Sequence, residues 1–311
     1  MRIVFLGTPD YAVPVLSSLF DAGYEVAAVV TQPDRPAGRG RALTSPPVAV
    51  WARERGIPVL QPPSLRPPEV AGQLAALAPD AMAVASYGRI LPPAVLALPA
   101  FGCLNVHPSL LPRHRGPSPV AEAILQGETV TGVTIMQLDE GTDTGPVLAQ
   151  EEVEIGPDDT AGKLTARLFA LGGGLMARTL REWADGRIEA VAQDEARATY
   201  SRKLEKADGE LDFTRPAADL HNQVRAMDPW PGAYTTFKGA TLKVLRTSAL
   251  PAPSESAPTG TVVTLDGAPA AAVTTDGSLA LRELQLEGRR ATDAESFLRG
   301  RPDLLGAHLP S

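Results

Sequence analysis

A chain of 311 residues with one cysteine and a formal net charge of −7 has room for two domains and a large core, and excludes an internal disulfide. Its acidic balance excludes a surface that is basic throughout, so any nucleic-acid partner would have to be met by a local basic patch. No apolar run approaches the ~20 residues of a membrane span, and the first residues form a strand pattern rather than a leader, which predicts a cytoplasmic protein without a membrane partner.

Arg2–Leu6 is a short apolar run ending at Gly7, the pattern of a buried central strand. Tyr11–Ala22 carries apolar residues at Ala12, Val15, Leu16 and Leu19 with Gly23 behind them, a helix with a glycine stop. Glu25–Thr31 is the next strand, and this β-α-β unit predicts a Rossmann-like, doubly wound, mainly parallel sheet of the α/β class. The turn Gly7-Thr8-Pro9-Asp10 lacks both G-x-G-x-x-G and the phosphate-loop pattern, which argues against a dinucleotide or nucleoside triphosphate site. Gln32–Pro46 has no apolar periodicity and holds Arg35, Arg39 and Arg41 among turn formers. It reads as a long structureless basic arm suited to a phosphate backbone, the plainer alternative being a solvated loop. A helix over 48–55, a brief strand over 57–60, a helix over 69–77 and a strand over 81–86 follow. A short helical piece then follows the Tyr87–Pro92 turn.

The stretch Gly102–Pro112, GCLNVHPSLLP, is the most informative. Strand side chains alternate between faces, so Asn105 and His107 project together, roughly 7 Å apart, while Leu104 and Val106 enter the packing. Pro108 cannot donate to a sheet ladder and ends the strand there, placing His107 at the edge where open α/β sheets hold ligands. An amide and an imidazole at such an edge can stabilise a developing oxyanion and exchange a proton. The plainer alternative is an asparagine ending a strand and a histidine capping a loop. Asp143 sits in the glycine-rich acidic loop 139–146 behind a strand over 132–138. In a parallel sheet its strand end would meet that of His107 at one edge. The set Asn105, His107 and Asp143 has no nucleophile, since no second histidine is placed to activate Ser109. It therefore suits direct acyl transfer between two bound substrates. One histidine and one aspartate lack zinc spacing, so no metal is expected. Cys103, among apolar neighbours, reads as a buried small hydrophobe.

Ser118–Leu125 predicts a helix, Val147–Ile155 a strand paired with 132–138, and Thr160–Asp185 a long amphipathic helix closing a first domain over residues 1–185. Residues 186–206 are polar with little period and read as a linker. In 207–311, a helix over 219–227 precedes short strand patterns at 233–237, 241–248, 260–265, 270–275 and 278–285, suggesting a small closed barrel. This region carries more Asp and Glu than Lys and Arg.

Asn105-Val106-His107-Pro108-Ser109-Leu110-Leu111-Pro112 followed by Asp143 in a Gly-x-Asp-x-Gly loop resembles the signature of the folate-dependent formyltransferases. Gly7-Thr8-Pro9, Thr31–Gly40, Gly132–Gln137 and Asp228-Pro229-Trp230-Pro231 resemble more narrowly the methionyl-tRNA formyltransferases, over essentially the whole chain. Pro108, where that branch more often has Gly or Ala, and Pro117-Ser118, where Ala-Ala is common, depart from the pattern without touching the triad. The resemblance implies 10-formyltetrahydrofolate as donor and the α-amine of methionine on initiator tRNA as acceptor, in a step that prepares translation initiation. It implies Asn105, His107 and Asp143 as catalytic residues, with His107 held as imidazolium by Asp143. It implies a folate turn at Ser109, Leu110, Leu111 and Pro112. It further implies tRNA contacts from Arg35, Arg39 and Arg41 in the arm and from Lys203 and Lys206, and an OB-like C-terminal domain that grips tRNA. A monomer is expected. A formyltransferase acting on a sugar-nucleotide amine is the alternative, which the basic arm disfavours.

Overall fold

The structure, a computed structural model, describes residues 1–37 and 42–311. It divides into two compact units: residues 1–119, 130–154 and 165–201 form the first, and 120–129, 155–164 and 202–311 the second. Among the described residues no helix is long and apolar enough to cross a membrane.

In chain order the strands of the first unit are β1 (Arg2–Gly7), β2 (Glu25–Val30), β3 (Arg35–Ala37), β4 (Ala42–Thr44), β5 (Val59–Leu60), β6 (Ala81–Ala85), β7 (Cys103–His107), β8 (Val130–Gln137) and β9 (Val147–Glu154). Seven of them make one sheet in the order β5-β2-β1-β6-β7-β8-β9. The pairs from β5 to β7 are parallel, and β7–β8 and β8–β9 are antiparallel. Ile3–Leu6 and Ala81–Ala85 are buried throughout, the uninterrupted apolar pattern of strands covered on both faces. One face carries Val4, Leu6, Met82, Val84 and Cys103, packed with Val70, Leu74 and Val95.

The helices are α1 (Val13–Asp21), α2 (Pro47–Glu54), α3 (Pro68–Ala76), α4 (Pro93–Leu96), α5 (Pro119–Leu125), α6 (Ala161–Ala184), α7 (Ala217–Ala226) and α8 (Ala294–Gly300). In α6, Gly172 passes so close to β7 that a Cβ there would lie 2.5 Å from Val106 Cγ1. A larger residue would push the helix off the back of the strand that carries Asn105 and His107.

Two expectations about the first unit are corrected here. The arm is not structureless: β3 and β4 pair antiparallel, Arg35 opposite Thr44. Its base is tied by Asp34, which accepts from Gln61 Nε2 at 2.6 Å and Ser45 Oγ at 2.8 Å. Pairing across the arm gives backbone groups partners that a bare loop would lack. The second correction concerns β8, which runs antiparallel to β7, with Leu104 opposite Gln137 and His107 opposite Thr134. Its end therefore lies beside the start of β7, not beside His107.

The second unit is built on an antiparallel sheet, β10 (Tyr234–Phe237), β11 (Ala240–Leu250), β12 (Val262–Leu265), β13 (Ala268–Val273) and β14 (Ser278–Leu286), with β15 (Thr292–Asp293) beside β14. The order is β10-β11-β14-β13-β12. Among the described residues no pairing joins β10 to β12, so the sheet is an open path rather than a closed barrel. Its core gathers Leu211, Phe213, Leu220, Val224, Leu242, Val244, Leu279, Leu281, Leu284 and Phe297, drawn from the segment before α7, from α7 and α8, and from the sheet.

Candidate active site

β7 does what its alternation predicts. Leu104 and Val106 are buried, Asn105 is partly exposed, and His107 ends the strand with its ring almost fully buried. Cys103, on the same face as Asn105, is buried deeper, with its thiol against the carbonyls of Val95 and Leu96. Burial pushes that thiol up to about 12, which leaves it an inert hydrophobe.

His107 touches two groups. Its Nε2 lies 3.1 Å from the carbonyl oxygen of His114. A carbonyl can only accept, so Nε2 carries the proton and the neutral ring has its lone pair on Nδ1. Nδ1 faces Asp143 Oδ2 at 3.7 Å, too far for a hydrogen bond, as suits two acceptors with no proton between them. Burial pulls the ring below its ordinary pKa, Asp143 and the His114 carbonyl pull it up, the His114 ring pulls it down, and the net direction is down. The ring therefore rests as neutral imidazole, which corrects the expected imidazolium: desolvation of a buried cation outweighs one carboxylate that is partly wet.

Asp143 reaches His107 across the sheet, because the antiparallel β8 delivers its loop from the far end of β7. The residue sits at φ 54°, a left-handed conformation that aspartate tolerates better than most side chains. Three bonds hold it there. Gly116 N–H donates to Asp143 Oδ2 at 2.8 Å, and Gln193 Nε2 donates to the carbonyls of Asp143 at 2.8 Å and Gly145 at 2.7 Å.

Gly116 must be glycine: its φ is +104°, and a Cβ would lie 2.6 Å from Ser201 O. Its neighbour Arg115 has no exposed surface. Arg115 Nε donates to Gln193 Oε1 at 3.0 Å, its two terminal nitrogens bind Glu195 at 2.9 and 2.7 Å, and Nη1 also reaches Tyr200 Oη at 3.0 Å. Its backbone is bonded on both sides, to Thr199 O and from Ser201 N. Residues 186–201, expected as part of a linker, are thus packed in the first unit. Arg115, Gln193, Glu195 and Tyr200 were missed in the sequence because each bond spans about eighty residues or fifty, with no periodicity to mark it.

The SLLP turn is built around Thr134. Its hydroxyl donates to Ser109 O at 2.6 Å and accepts from Leu111 N at 3.1 Å and Gln150 Nε2 at 2.9 Å. Ser109 Oγ donates to Arg113 O. Ser109 and Leu111 are buried, while Leu110 and Pro112 are partly exposed. The first two shape the turn and the second two line its surface.

The expected tRNA-contacting residues fall in three places. Arg35 is exposed on β3 and donates to Gln32 Oε1 at 2.9 Å. Lys203 and Lys206 are exposed in the second unit. Arg39 and Arg41 lie outside the described residues. Among the described residues no group of three or more His, Cys, Asp or Glu side chains is placed to hold a metal ion.

With this geometry in view, the chain matches the formyl transferase family model over residues 1–180 and the model of the formyl transferase C-terminal domain over 203–302. The class is that of the formyl transferases. A methionyl-tRNA formyltransferase of Chloroflexus aggregans is 50% identical over 302 residues, covering 96% of this chain and 97% of that one. One from a Geobacillus strain is 44% identical over 311 residues, covering 99% and 96%. The chain belongs to the methionyl-tRNA formyltransferase family of enzymes. The same fold occurs in WlaRD, a sugar 3N-formyl transferase solved with dTDP and 5-N-formyl-THF (TM-score 0.67, 16% identity, covering 93% of this chain and 99% of that one). It also occurs in HypX from Aquifex aeolicus in complex with tetrahydrofolic acid (TM-score 0.64, 18% identity, covering 96% and 47%).

Proposed function

We propose that this chain transfers a formyl group from 10-formyltetrahydrofolate to the α-amine of methionine carried by initiator tRNA. The observation that carries the reading is the meeting of His107 Nδ1 with Asp143 Oδ2 on the strand face that also bears Asn105. The residues suit the donor: an amide, a neutral imidazole and a carboxylate serve carbonyl chemistry, and the Ser109–Pro112 turn offers Leu110 and Pro112 to a flat ring system.

In this reading the attacking amine adds to the formyl carbon and the carbonyl oxygen gains negative charge. Asn105 donates to that oxygen, a contribution worth roughly 3–4 kcal/mol of barrier by analogy with other oxyanion donors. His107 takes the amine's proton on Nδ1, the nitrogen left free by the Nε2 bond to His114, and Asp143 stabilises the imidazolium that forms. As the bond from carbon to the folate nitrogen breaks, that nitrogen is protonated, by His107 directly or through a water held by Asp143. The arm of Arg35, Arg39 and Arg41, together with Lys203 and Lys206, meets the tRNA backbone, and the C-terminal sheet serves as an OB-like gripping module. In this reading the first unit, which takes in residues 186–201, is the catalytic part, and the second unit, which takes in 202–311, is the tRNA-binding part.

The test is formyl transfer to charged initiator tRNA beside a panel of aminosugar nucleotides. Transfer to the tRNA is expected. Transfer to a sugar-nucleotide amine alone would overturn the reading. Arg39→Ala is expected to reduce transfer to tRNA while leaving folate affinity unchanged, and Arg39→Lys to restore it only in part, since lysine keeps the charge and loses the planar fork.

A further inference from the structure

Asp143 poses a physical problem. It is the one member of the triad carried by a loop, it sits in a left-handed conformation, and its strand delivers it from the wrong end of β7. Something must hold it facing His107 Nδ1. Of the Asp143 carboxylate, Oδ2 is fixed by Gly116 N–H, and the backbone of its loop is fixed by the two donors of a single amide, Gln193 Nε2. The other end of that amide accepts from Arg115 Nε at 3.0 Å. Arg115 is itself immobilised, wholly buried and forked onto Glu195. Because Arg115 and Gly116 are consecutive, one short segment supports the carboxylate directly and, through Gln193, supports the backbone behind it.

We infer that Gln193 is a positioning residue for the formyl transfer: braced by Arg115 and Glu195, it sets the distance between the Asp143 carboxylate and His107 Nδ1. The inference rests on the proposed role of Asp143 and His107. Gln193 touches neither substrate nor the reacting atoms in this account; it acts through Asp143.

Gln193→Glu keeps the shape and the acceptor for Arg115 Nε but replaces both donors with a carboxylate oxygen that repels the carbonyls of Asp143 and Gly145. Displacing a catalytic group by about 1 Å can cost on the order of 100-fold, so a fall in kcat of about 30-fold is expected, with KM for folate and tRNA changed less than about twofold. A second readout separates positioning from scaffolding. His107 is faced by Asp143 from the acidic loop and by His114 from the segment after β7, and Asp143 is the carboxylate that raises its pKa. Moving Asp143 away lowers that pKa, so the acid limb of the rate profile should shift to lower pH in Gln193→Met, which removes both donors without adding a second carboxylate near the ring.

The decisive experiment is a double-variant cycle with Asp143→Asn. If Gln193 acts through Asp143, Gln193→Glu adds nothing once Asp143→Asn is present. Losses that multiply, or a silent Gln193→Glu beside a severely impaired Asp143→Asn, overturn the brace and leave the chemistry standing. A silent Asp143→Asn instead overturns the proposed chemistry itself. Should Gln193→Glu fail to fold, Glu195→Gln, at an exposed carboxylate one step further out, takes its place in the same cycle. A smaller loss in the same direction, again absent in the Asp143→Asn background, is then expected, and multiplication again overturns the brace.

Discussion

Two glutamines, one in each unit, make the same three hydrogen bonds and hold very different things. Gln223, on α7, donates Nε2 to the carbonyls of Asp208 and Glu210, both at 2.8 Å, and accepts from Arg215 Nη1 at 3.1 Å. Gln193 donates to the carbonyls of Asp143 and Gly145 and accepts from Arg115 Nε. In both, one amide satisfies two carbonyls two residues apart in backbone outside the α-helices and the named strands. The segment tied by Gln223 leads into the hydrophobic core at Leu211. The segment tied by Gln193 carries the carboxylate that faces His107. Identical bonds therefore serve stability in one place and geometry in the other, and what distinguishes them is the group that each segment carries.

The strongest way to sharpen this contrast is to remove the chemistry that one of the two supports. His107→Ala, Asn105→Ala and Asp143→Ala should each lower turnover by on the order of 100-fold or more with the fold retained. Steady-state kinetics beside circular dichroism checks this, and near-normal turnover in His107→Ala would contradict the assignment. The Gln193 series falls below that level, as set out above.

Gln223→Leu should show the opposite pattern. It leaves two carbonyls and a guanidinium without their partner in a nearly buried position, at a cost of about 1–3 kcal/mol. Urea unfolding should register the loss, while kcat at saturating substrates stays within about twofold. A rate loss like that of Gln193→Glu would erase the distinction between the two glutamines.

Thr134→Val tests a third bracing centre, the hydroxyl under the SLLP turn. The side chain is fully buried and of matching shape, so its substitution removes three hydrogen bonds without a cavity, destabilising by about 1–2 kcal/mol. KM for the folate donor should rise more than KM for tRNA, because the turn and not the arm is loosened. Equal effects on both would show that the turn does not serve the folate.

The smallest expected effect concerns pH. His107 and His221 both titrate below their ordinary 6.5, each chiefly through burial. The folded pKa lies below the unfolded one, so the stabilising contribution is complete above pH 6.5. It is lost as pH falls through the folded values, since the unfolded chain binds protons that the folded one resists. Each such histidine contributes a slope of at most about 1.4 kcal/mol per pH unit. Urea midpoints between pH 7.5 and 5 should fall, and His107→Gln should flatten part of that decline. An unchanged slope in His107→Gln would mean that the ring is charged when folded.

Some of this site was legible in one dimension. Period-two alternation over Leu104–His107 and the stop at Pro108 suffice to place Asn105 and His107 on one face at a sheet edge, because strand geometry is local. The strands of the first sheet were legible for the same reason. The second unit's five main strands were as well, although alternation says nothing about whether β10 closes onto β12. Asp143 was legible as a residue type in a glycine-rich loop but not in its approach, since strand polarity is a property of pairing and not of composition.

What the sequence by itself determined is therefore the elements of both units apart from β3, β4, β15 and α8, the face that Asn105 and His107 share, and the membership of the family its motifs resemble. Only the tertiary structure decided that β8 runs antiparallel to β7, that residues 190–201 clasp Arg115, and that Gln193 holds the Asp143 loop. It also decided the resting charge of His107, which depends on how far the ring is buried and not on which residues flank it. The physical reason is common to all of these. Periodicity records which side of a local element faces the core. Bonds from a side chain to a group fifty to eighty-five residues away leave no period in the chain to read.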